Sequence, residues 1–208
     1  MIMLSSDTIY WILFAIPSIL IASTIHEYSH GLMAFKLGDP TAKSEGRLTL
    51  NPLAHIDPLG ALSMVIFRFG WSKPVPINEY NFEKRELGTA LVALAGPFSN
   101  LLMAILCGII NLIFSPDLNT IFGSFLLTFA IINLSLAFFN LIPVPPLDGH
   151  KIVRAILPKK LKYYWEDLEK FRMILLVILI LPVTASGSIA SGYISFAITK
   201  SLSLLGFL

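Results

Sequence analysis

The stretch from residue 26 to residue 30 reads His-Glu-Tyr-Ser-His and lies within an otherwise apolar run. On a helix, residues four positions apart share one face and lie about 6 Å apart along the axis. His26 and His30 can therefore present ring nitrogens to one metal ion, and zinc suits such a pair. Glu27 is poorly aimed as a third ligand, but it can reach a water molecule at an open coordination position. The pattern predicts metal-assisted hydrolysis with Glu27 as the general base.

The apolar surroundings favour a functional site over an ordinary polar helix end. Two histidines and a glutamate are costly inside a membrane span and mark a functional site by default. The alternative is a helix end whose polar groups are satisfied at the membrane interface. About ten more residues, or about 15 Å of helix, follow His26 before Lys36, so we place the site below the membrane surface.

A third metal ligand is expected elsewhere in the chain, because a catalytic zinc usually takes three protein ligands and one water. The candidates are His55, Asp57, Asp148 and His150. Asp148 is the best placed, because prolines within residues 143–146 break the helix beside it, and broken backbone at membrane depth needs a wet or metal-bound cavity. An aspartate that merely caps the next helix is the alternative. We interpret His150 as a supporting or interface residue and His55 as a loop histidine.

The composition is that of a membrane protein. Of the 208 residues, 55% are hydrophobic and 13% are charged, and the mean hydropathy is +0.76. Soluble domains carry roughly one quarter charged residues. The net charge of +2 provides no field that would attract nucleic acid, so no nucleic acid is expected as a partner. Cys107 is the single cysteine, which excludes a disulfide scaffold, and we interpret it as a small buried apolar residue.

The elements that position these residues are predicted to be helices that cross a lipid bilayer. An apolar stretch of about 20 residues is long enough to cross. We count about five spans, at residues 10–37, 87–114 and 121–142 and two within 171–208. Residues 59–71 are too short to cross as a helix and are predicted to form a small membrane-associated β-hairpin or re-entrant segment. The predicted fold class is an all-α integral membrane protein, a polytopic helix bundle with this one addition.

The chain is predicted to form one membrane-embedded domain over residues 1–208, with a core at 8–157 and a C-terminal helical pair at 163–208. Lysine and arginine are retained on the cytoplasmic side in short loops. All 15 basic residues are compatible with one side, because the turns on the opposite side carry none. We therefore predict that the N-terminus lies outside and that the site opens to the cytoplasm.

Two motifs together resemble the paired signatures of the site-2 protease family of intramembrane zinc metalloproteases. The first is HEYSH at residues 26–30, and the second is NLIPVPPLDG at residues 140–149. The stretch AGPFSN at residues 95–100 is also similar to the glycine-and-asparagine motif in that family's second core helix. The resemblance covers residues 23 to about 151, and no segment is long enough for the PDZ domain that larger members insert.

The resemblance implies a complete site. It implies bound zinc, a glutamate base and asparagines that contact substrate or the developing oxyanion. A second interpretation of Asn140 is that it satisfies backbone groups freed by the following prolines, and the two roles are compatible. The implied residues are His26, His30 and Asp148 for zinc, Glu27 for the base, and Asn140 and Asn100 for substrate binding.

The predicted function is hydrolysis of peptide bonds in or near the transmembrane segment of single-pass, membrane-anchored proteins. One alternative is a divalent-metal transporter, although the chain shows no repeated halves and Glu27 has no obvious purpose in one. Another is a non-catalytic membrane scaffold, against which the complete ligand set and base argue. Neither the physiological substrate nor the oligomeric state follows from the sequence.

Overall fold

The computed structural model describes residues 10–67, 70–184 and 187–208. A π-helical turn at Trp11–Ala15 precedes the first α-helix, and 3₁₀ turns lie at Pro52–His55, Glu79–Asn81 and Leu168–Phe171. Two short antiparallel strands are β1 (Pro182–Thr184) and β2 (Gly187–Ser188). The helices are α1 (Ile16–Lys36), α2 (Thr41–Ser44), α3 (Pro58–Phe67), α4 (Arg85–Phe114), α5 (Ile121–Asn140), α6 (Asp148–Ile156), α7 (Lys159–Asp167), α8 (Arg172–Ile180) and α9 (Ile189–Leu204).

Three helices in the described part of the chain are long and apolar enough to cross a membrane. They span Ile12–Lys36, which includes most of the π-helical turn, Arg85–Phe114 and Ile121–Asn140. These ranges coincide with the first three predicted spans to within a few residues. The first ends where the sequence predicts it, because Gly38 adopts a φ of 101° that a residue with a side chain rarely takes. The protein is therefore an all-α membrane protein with several candidate spans.

Helix α4 lies at the centre of the bundle and packs against α1, α5 and α6, while α9 packs against α5. Small side chains let α4 and α5 approach closely, since Ala104 and Ala130 are fully buried. Cys107 lies in the same cluster and is 3% exposed, which confirms its interpretation as a buried apolar residue. This packing holds α1 and α4 side by side at the level of the candidate site.

The segment predicted as a β-hairpin or re-entrant piece is helical from residue 59 to residue 67. Residues 58–67 form α3, and a single bridge between Ile56 and Ser72 closes its base. The Asp57 carboxylate accepts the backbone N–H groups of Leu59 (2.9 Å) and Gly60 (2.9 Å), which caps the helix. Asp followed by Pro is a strong helix start, which explains why this short segment is helical. The β-hairpin is therefore not confirmed, because residues 59–67 are helical, and the re-entrant alternative stays a prediction. Residues 68–69 lie outside the described residues.

The C-terminal helical pair is shorter than predicted. Helix α8 has 9 residues and α9 has 16, whereas a perpendicular span needs about 20. The chain breaks between them, where Pro182 pairs with Ser188 in the small strand pair. The expected count of five spans is not confirmed by these helices alone.

Asp39 anchors the chain just after α1. Its carboxylate is fully buried and accepts hydrogen bonds from Asn78 N (2.7 Å), Asn81 Nδ2 (2.7 Å), Thr41 N (3.1 Å) and the Thr41 hydroxyl. Burial disfavours its charge, but these donors outweigh burial and hold its pKa below the ordinary value of 3.8. Asp39 therefore ties the segment before α4 to the end of α1.

Replacing Asp39 by asparagine is expected to destabilise the protein at neutral pH by about 1–3 kcal/mol, because an amide N–H₂ would face the donors that the carboxylate now accepts. A lowered folded-state pKa contributes stability that is complete above the unfolded value of 3.8 and is lost as the pH falls below it. The difference between Asp39→Asn and wild type should therefore shrink below about pH 4. Denaturant titration in mixed micelles at pH 7 and pH 3.5 measures it.

Asp117→Asn, at an exposed turn, is the matched control for this substitution. Its carboxylate also accepts a backbone N–H at 2.9 Å, from Asn119. A constant difference between Asp39→Asn and wild type across this pH range would contradict the assignment of an ionised, hydrogen-bonded Asp39.

Candidate metal centre and active site

His26 and His30 face each other on one side of α1. Their Nε2 atoms are 3.0 Å apart, and the two rings meet edge to face at 88°. Both residues are buried, each 7% exposed. The helical spacing of four residues therefore brings two ring nitrogens to one point, as the sequence predicts.

The other nitrogen of each ring is held by α4. His26 Nδ1 lies 2.6 Å from Asn100 Oδ1, and His30 Nδ1 lies 2.6 Å from the carbonyl oxygen of Val92. A carbonyl oxygen only accepts hydrogen bonds, so each Nδ1 carries the proton and donates it. Each neutral imidazole then keeps the lone pair on Nε2. Helix α4 thereby sets both rings in the tautomer that binds a metal.

Asp148 completes the group at the first residue of α6. Its Oδ2 lies 3.2 Å from His26 Nε2 and 3.2 Å from His30 Nε2. The start of α6 can approach the end of α5 because of Gly149, whose position has no room for a side chain. A Cβ there would lie 2.3 Å from the carbonyl oxygen of Leu141. The tight Asp148-Gly149 corner thus brings the carboxylate against both imidazoles.

The donor set fits a single small cation. One ligand atom from each of the three residues lies within 4.8 Å of the others, and all three residues are buried. Zinc binds nitrogen and oxygen at about 2.0–2.1 Å, so its tetrahedral ligands are about 3.3–3.4 Å apart. The observed separations of 3.0 and 3.2 Å are close to that value. Two neutral imidazoles and one carboxylate are also a donor set of a catalytic zinc, which leaves a fourth position for water.

Glu27 lies next to this group, but its carboxylate is held by a different segment. Oε1 accepts the Ser72 hydroxyl at 2.7 Å, and Oε2 accepts the Val75 backbone N–H at 3.0 Å. Each oxygen keeps a lone pair that can still accept a proton or a hydrogen bond. The carboxylate is therefore held in place by its partners and remains able to act as a base.

The metal ligands and Glu27 line one large cavity of about 1070 Å³. Beyond the polar end its walls are apolar, with side chains from α1, α5 and α9 such as Ile19, Ile132 and Ile194. Typical ligand pockets measure about 300–1,000 Å³. The cavity is large enough for an extended peptide segment beside the ligand group.

Asn140 and Asn100 occupy different places. Asn140 lines the cavity, and its side-chain N–H₂ donates to the Leu136 carbonyl at 3.0 Å. Asn100 is fully buried: besides His26, its amide contacts Ala22 O at 3.1 Å and Asn133 Oδ1 at 2.9 Å. This placement departs from the substrate-binding role that the resemblance implies for Asn100, because its side chain supports a histidine from behind.

The other candidate ligands are engaged elsewhere. His55 Nε2 lies 2.8 Å from Thr49 O, and Asp57 caps α3. His150 stacks on Trp165 with centroids 5.1 Å apart, and its Nε2 lies 3.1 Å from Trp165 O. Of the four candidates, the structure brings only Asp148 to the histidine pair.

Several residues of the site carry no chemical signature that sequence reasoning could use. Ser72 and Val75 hold Glu27, and Val92 acts through its backbone carbonyl. Gly96 does carry a sequence signal, because it precedes a proline inside a helical pattern. A glycine at such a position indicates that packing or function requires it. A Cβ at Gly96 would lie 2.5 Å from His30 Nε2 and 2.6 Å from His26 Nε2. Gly96 therefore provides the space in which the two ligand atoms meet.

Gly96→Ala is expected to displace the histidine nitrogens, because real Cβ contacts are never this short. Metal affinity should fall at least by the roughly 10–100-fold that disturbing a ligand's supporting partner costs. Competition with a fluorescent chelator measures the affinity. Gly192→Ala on α9 is the matched control, since no atom lies within 4 Å of its added Cβ. Equal affinities for Gly96→Ala and wild type would show that the ligand atoms do not meet at Gly96.

The fold and the donor set together define the class of protein. It is a polytopic membrane protein whose buried site has the donor set of a metallopeptidase. The family model for peptidase family M50 matches residues 106–182. The protein YwhC of Bacillus subtilis is 37% identical over 187 residues, which cover 84% of this chain and 82% of YwhC. The chain therefore belongs to peptidase family M50, the site-2 protease family.

Two more distant relatives are longer than this chain. Rip2 of Mycobacterium tuberculosis is 27% identical over 173 residues, which cover 81% of this chain and 66% of Rip2. The protein named zinc metalloprotease MJ0392 of Methanocaldococcus jannaschii is 30% identical over 159 residues, 76% of this chain and 38% of that protein. The chain thus spans about two thirds or less of these two relatives. No solved structure gives a significant match to this chain.

Proposed function

We propose that this protein is a zinc-dependent endopeptidase that cleaves single-pass, membrane-anchored proteins in or near their transmembrane segment. The observation that carries the proposal is the convergence of His26, His30 and Asp148 beside Glu27 on the wall of one cavity. Membership of family M50 supports the peptidase class, and the name of the relative MJ0392 supports zinc. The membrane location of the substrate rests on the apolar walls of the cavity.

The three ligands would hold zinc through His26 Nε2, His30 Nε2 and a carboxylate oxygen of Asp148. When bound, the ion supplies Lewis-acid polarisation of the scissile carbonyl and of a water molecule. Glu27 takes the proton from the attacking water and delivers a proton to the amine that leaves. Ser72 and the Val75 N–H keep its carboxylate aimed during both transfers. A carboxylate placed in this way contributes roughly 10²–10⁴-fold to the rate.

The two asparagines of the site have different roles: one binds the substrate, and the other supports a zinc ligand. Asn140, on the cavity wall, contacts the substrate backbone or the oxyanion that develops on it. Asn100 keeps His26 in its binding tautomer. A substrate helix must unwind locally before attack, since its peptide bonds are otherwise hydrogen-bonded and hidden. Substrates with helix-breaking residues at the cleavage site are therefore favoured.

The topology belongs to the same proposal. We place the last two spans within residues 171–208, the fourth at α8 and the fifth at α9, and treat residues 163–208 as a C-terminal pair beside the core at 8–157. The basic residues then lie on the cytoplasmic side, with the N-terminus outside and the site opening inward. Residues 1–9 lie outside the described part of the chain. Cysteines introduced singly at residues 43 and 117 test this orientation in sealed vesicles. A membrane-impermeant thiol reagent should reach the two positions from opposite sides of the membrane.

Purified protein in detergent tests the function directly. We expect about one zinc per chain and cutting of a tagged single-pass substrate that a chelator stops and added zinc restores. Mass spectrometry of the products should place the cut in or beside the membrane segment. Zinc flux into sealed vesicles without any cleavage would replace the proposal with a transporter. Substrate binding without cleavage by the zinc-loaded protein would replace it with a scaffold.

A further inference from the structure

Arg154, on α6, lies where three acidic side chains from three segments converge. Its Nη2 is 3.0 Å from Glu79 Oε2, its Nε is 4.0 Å from Glu86 Oε2 on α4, and its Nη1 is 4.0 Å from Glu166 Oε1 on α7. The Arg154 side chain is only 13% exposed. The pair with Glu79 is the close one, and it links α6 to the 3₁₀ turn Glu79–Asn81.

Glu79 continues the segment that holds the proposed base. Ser72 and Val75, a few residues earlier, donate both hydrogen bonds to the Glu27 carboxylate. Arg154 lies on the helix whose first residue is Asp148, less than two turns away. A short path of bonded contacts therefore connects the segment that aims Glu27 to the helix that presents Asp148, through the Arg154–Glu79 pair.

We propose that Arg154 is a positioning residue: through Glu79 it sets the distance between the segment that aims Glu27 and the helix that carries Asp148. This inference rests on the proposed function, because that distance matters only if Glu27 acts on a water bound between these elements. A misplacement of about 1 Å can cost on the order of 100-fold in rate. Arg154 would act on the rate without contacting the substrate.

Arginine suits this position better than lysine. Its planar guanidinium offers five N–H donors in a fixed fork and can address several carboxylates at once. Nearby, Lys162 pairs with Glu86 at 2.9 Å, joining α7 to α4 without contacting the segment that holds Glu27. Lys162 is therefore a matched control, since its loss removes an ion pair of the same cluster but not the proposed tether.

Steady-state kinetics on the zinc-loaded protein forms the first arm of the test. Arg154→Met should lower kcat about 100-fold, with KM and zinc content close to wild type. Lys162→Met should change none of these. Glu79→Gln keeps an acceptor for Arg154 and should retain more of kcat than Glu79→Leu. If Arg154→Met fails to fold, Arg154→Lys tests the same contact with a milder change. Glu79→Leu tests it by changing the other partner.

A distance measurement forms the second arm and does not depend on proteolysis. Spin labels at Lys73→Cys and Ile156→Cys, in a Cys107→Ala background, report the separation of the two elements; Lys73 and Ile156 are both exposed. Arg154→Met should broaden or shift the distance distribution, and Lys162→Met should not. An unchanged distribution, an unchanged kcat, or equal effects from Lys162→Met would overturn the inference. A wild-type protein that cleaves nothing would instead overturn the proposed function, while the distance arm still tests the tether.

Discussion

Glu27→Gln is expected to lower the rate of substrate cleavage by about 10²–10⁴-fold while the protein keeps its zinc. Glutamine cannot take a proton from water, so the general-base step is lost. The amide can still occupy the same place, because its oxygen can accept the Val75 N–H and its N–H₂ can donate to the Ser72 hydroxyl. Single-turnover cleavage and metal analysis of the same preparation measure the two quantities separately.

Glu83→Gln is the matched control for this prediction, because Glu83 is exposed and lies in the turn directly before α4. It should leave both the rate and the zinc content unchanged. A Glu27→Gln protein with a rate near wild type would remove Glu27 from the role of base. Loss of zinc in Glu27→Gln would mean that the carboxylate helps to hold the ion, and the mechanism would have to be redrawn.

Asp148→Ala is expected to abolish stable zinc binding, and cleavage with it. The substitution removes one of three ligands and leaves His26 and His30 to bind the ion alone. The loss of affinity should exceed the roughly 10–100-fold that removal of a supporting partner costs. Metal content after dialysis against a weak chelator measures the loss, and a competition titration gives the affinity.

Asp117→Ala controls for the removal of a carboxylate, since Asp117 lies on an exposed turn between α4 and α5. It should retain full zinc content. Wild-type affinity in Asp148→Ala would show that the third ligand is another residue, and the geometry at the start of α6 would then need a different explanation. Thermal unfolding of both variants separates loss of zinc from loss of fold.

The metal site could be predicted from sequence to the extent that it depends on local spacing. His26 and His30 are four residues apart, and helical geometry alone brings them to one face. The third ligand required more, because chemistry left four candidates and only the proline-rich context and the family resemblance favoured Asp148. The long apolar helices were predictable for the same local reason, since length and composition decide whether a helix can cross a membrane.

The C-terminal part and the segment at residues 58–67 were predicted less well. Such short elements depend on a few local contacts, and the capping by Asp57 favours a helix at α3. The break at Pro182 shortened α8 below the length of a span. In both places the outcome depends on a few residues.

What only the tertiary structure decided is how the ligands are held. Asn100 and the Val92 carbonyl select the imidazole tautomers, Gly96 leaves room for the nitrogens, and Ser72 with Val75 aims Glu27. These contacts join residues far apart in the chain, and several use backbone groups that every residue possesses. A sequence specifies which side chains can do chemistry, but the packing of α1 against α4 and α6 determines which of them meet, because that packing depends on close approach across the whole bundle.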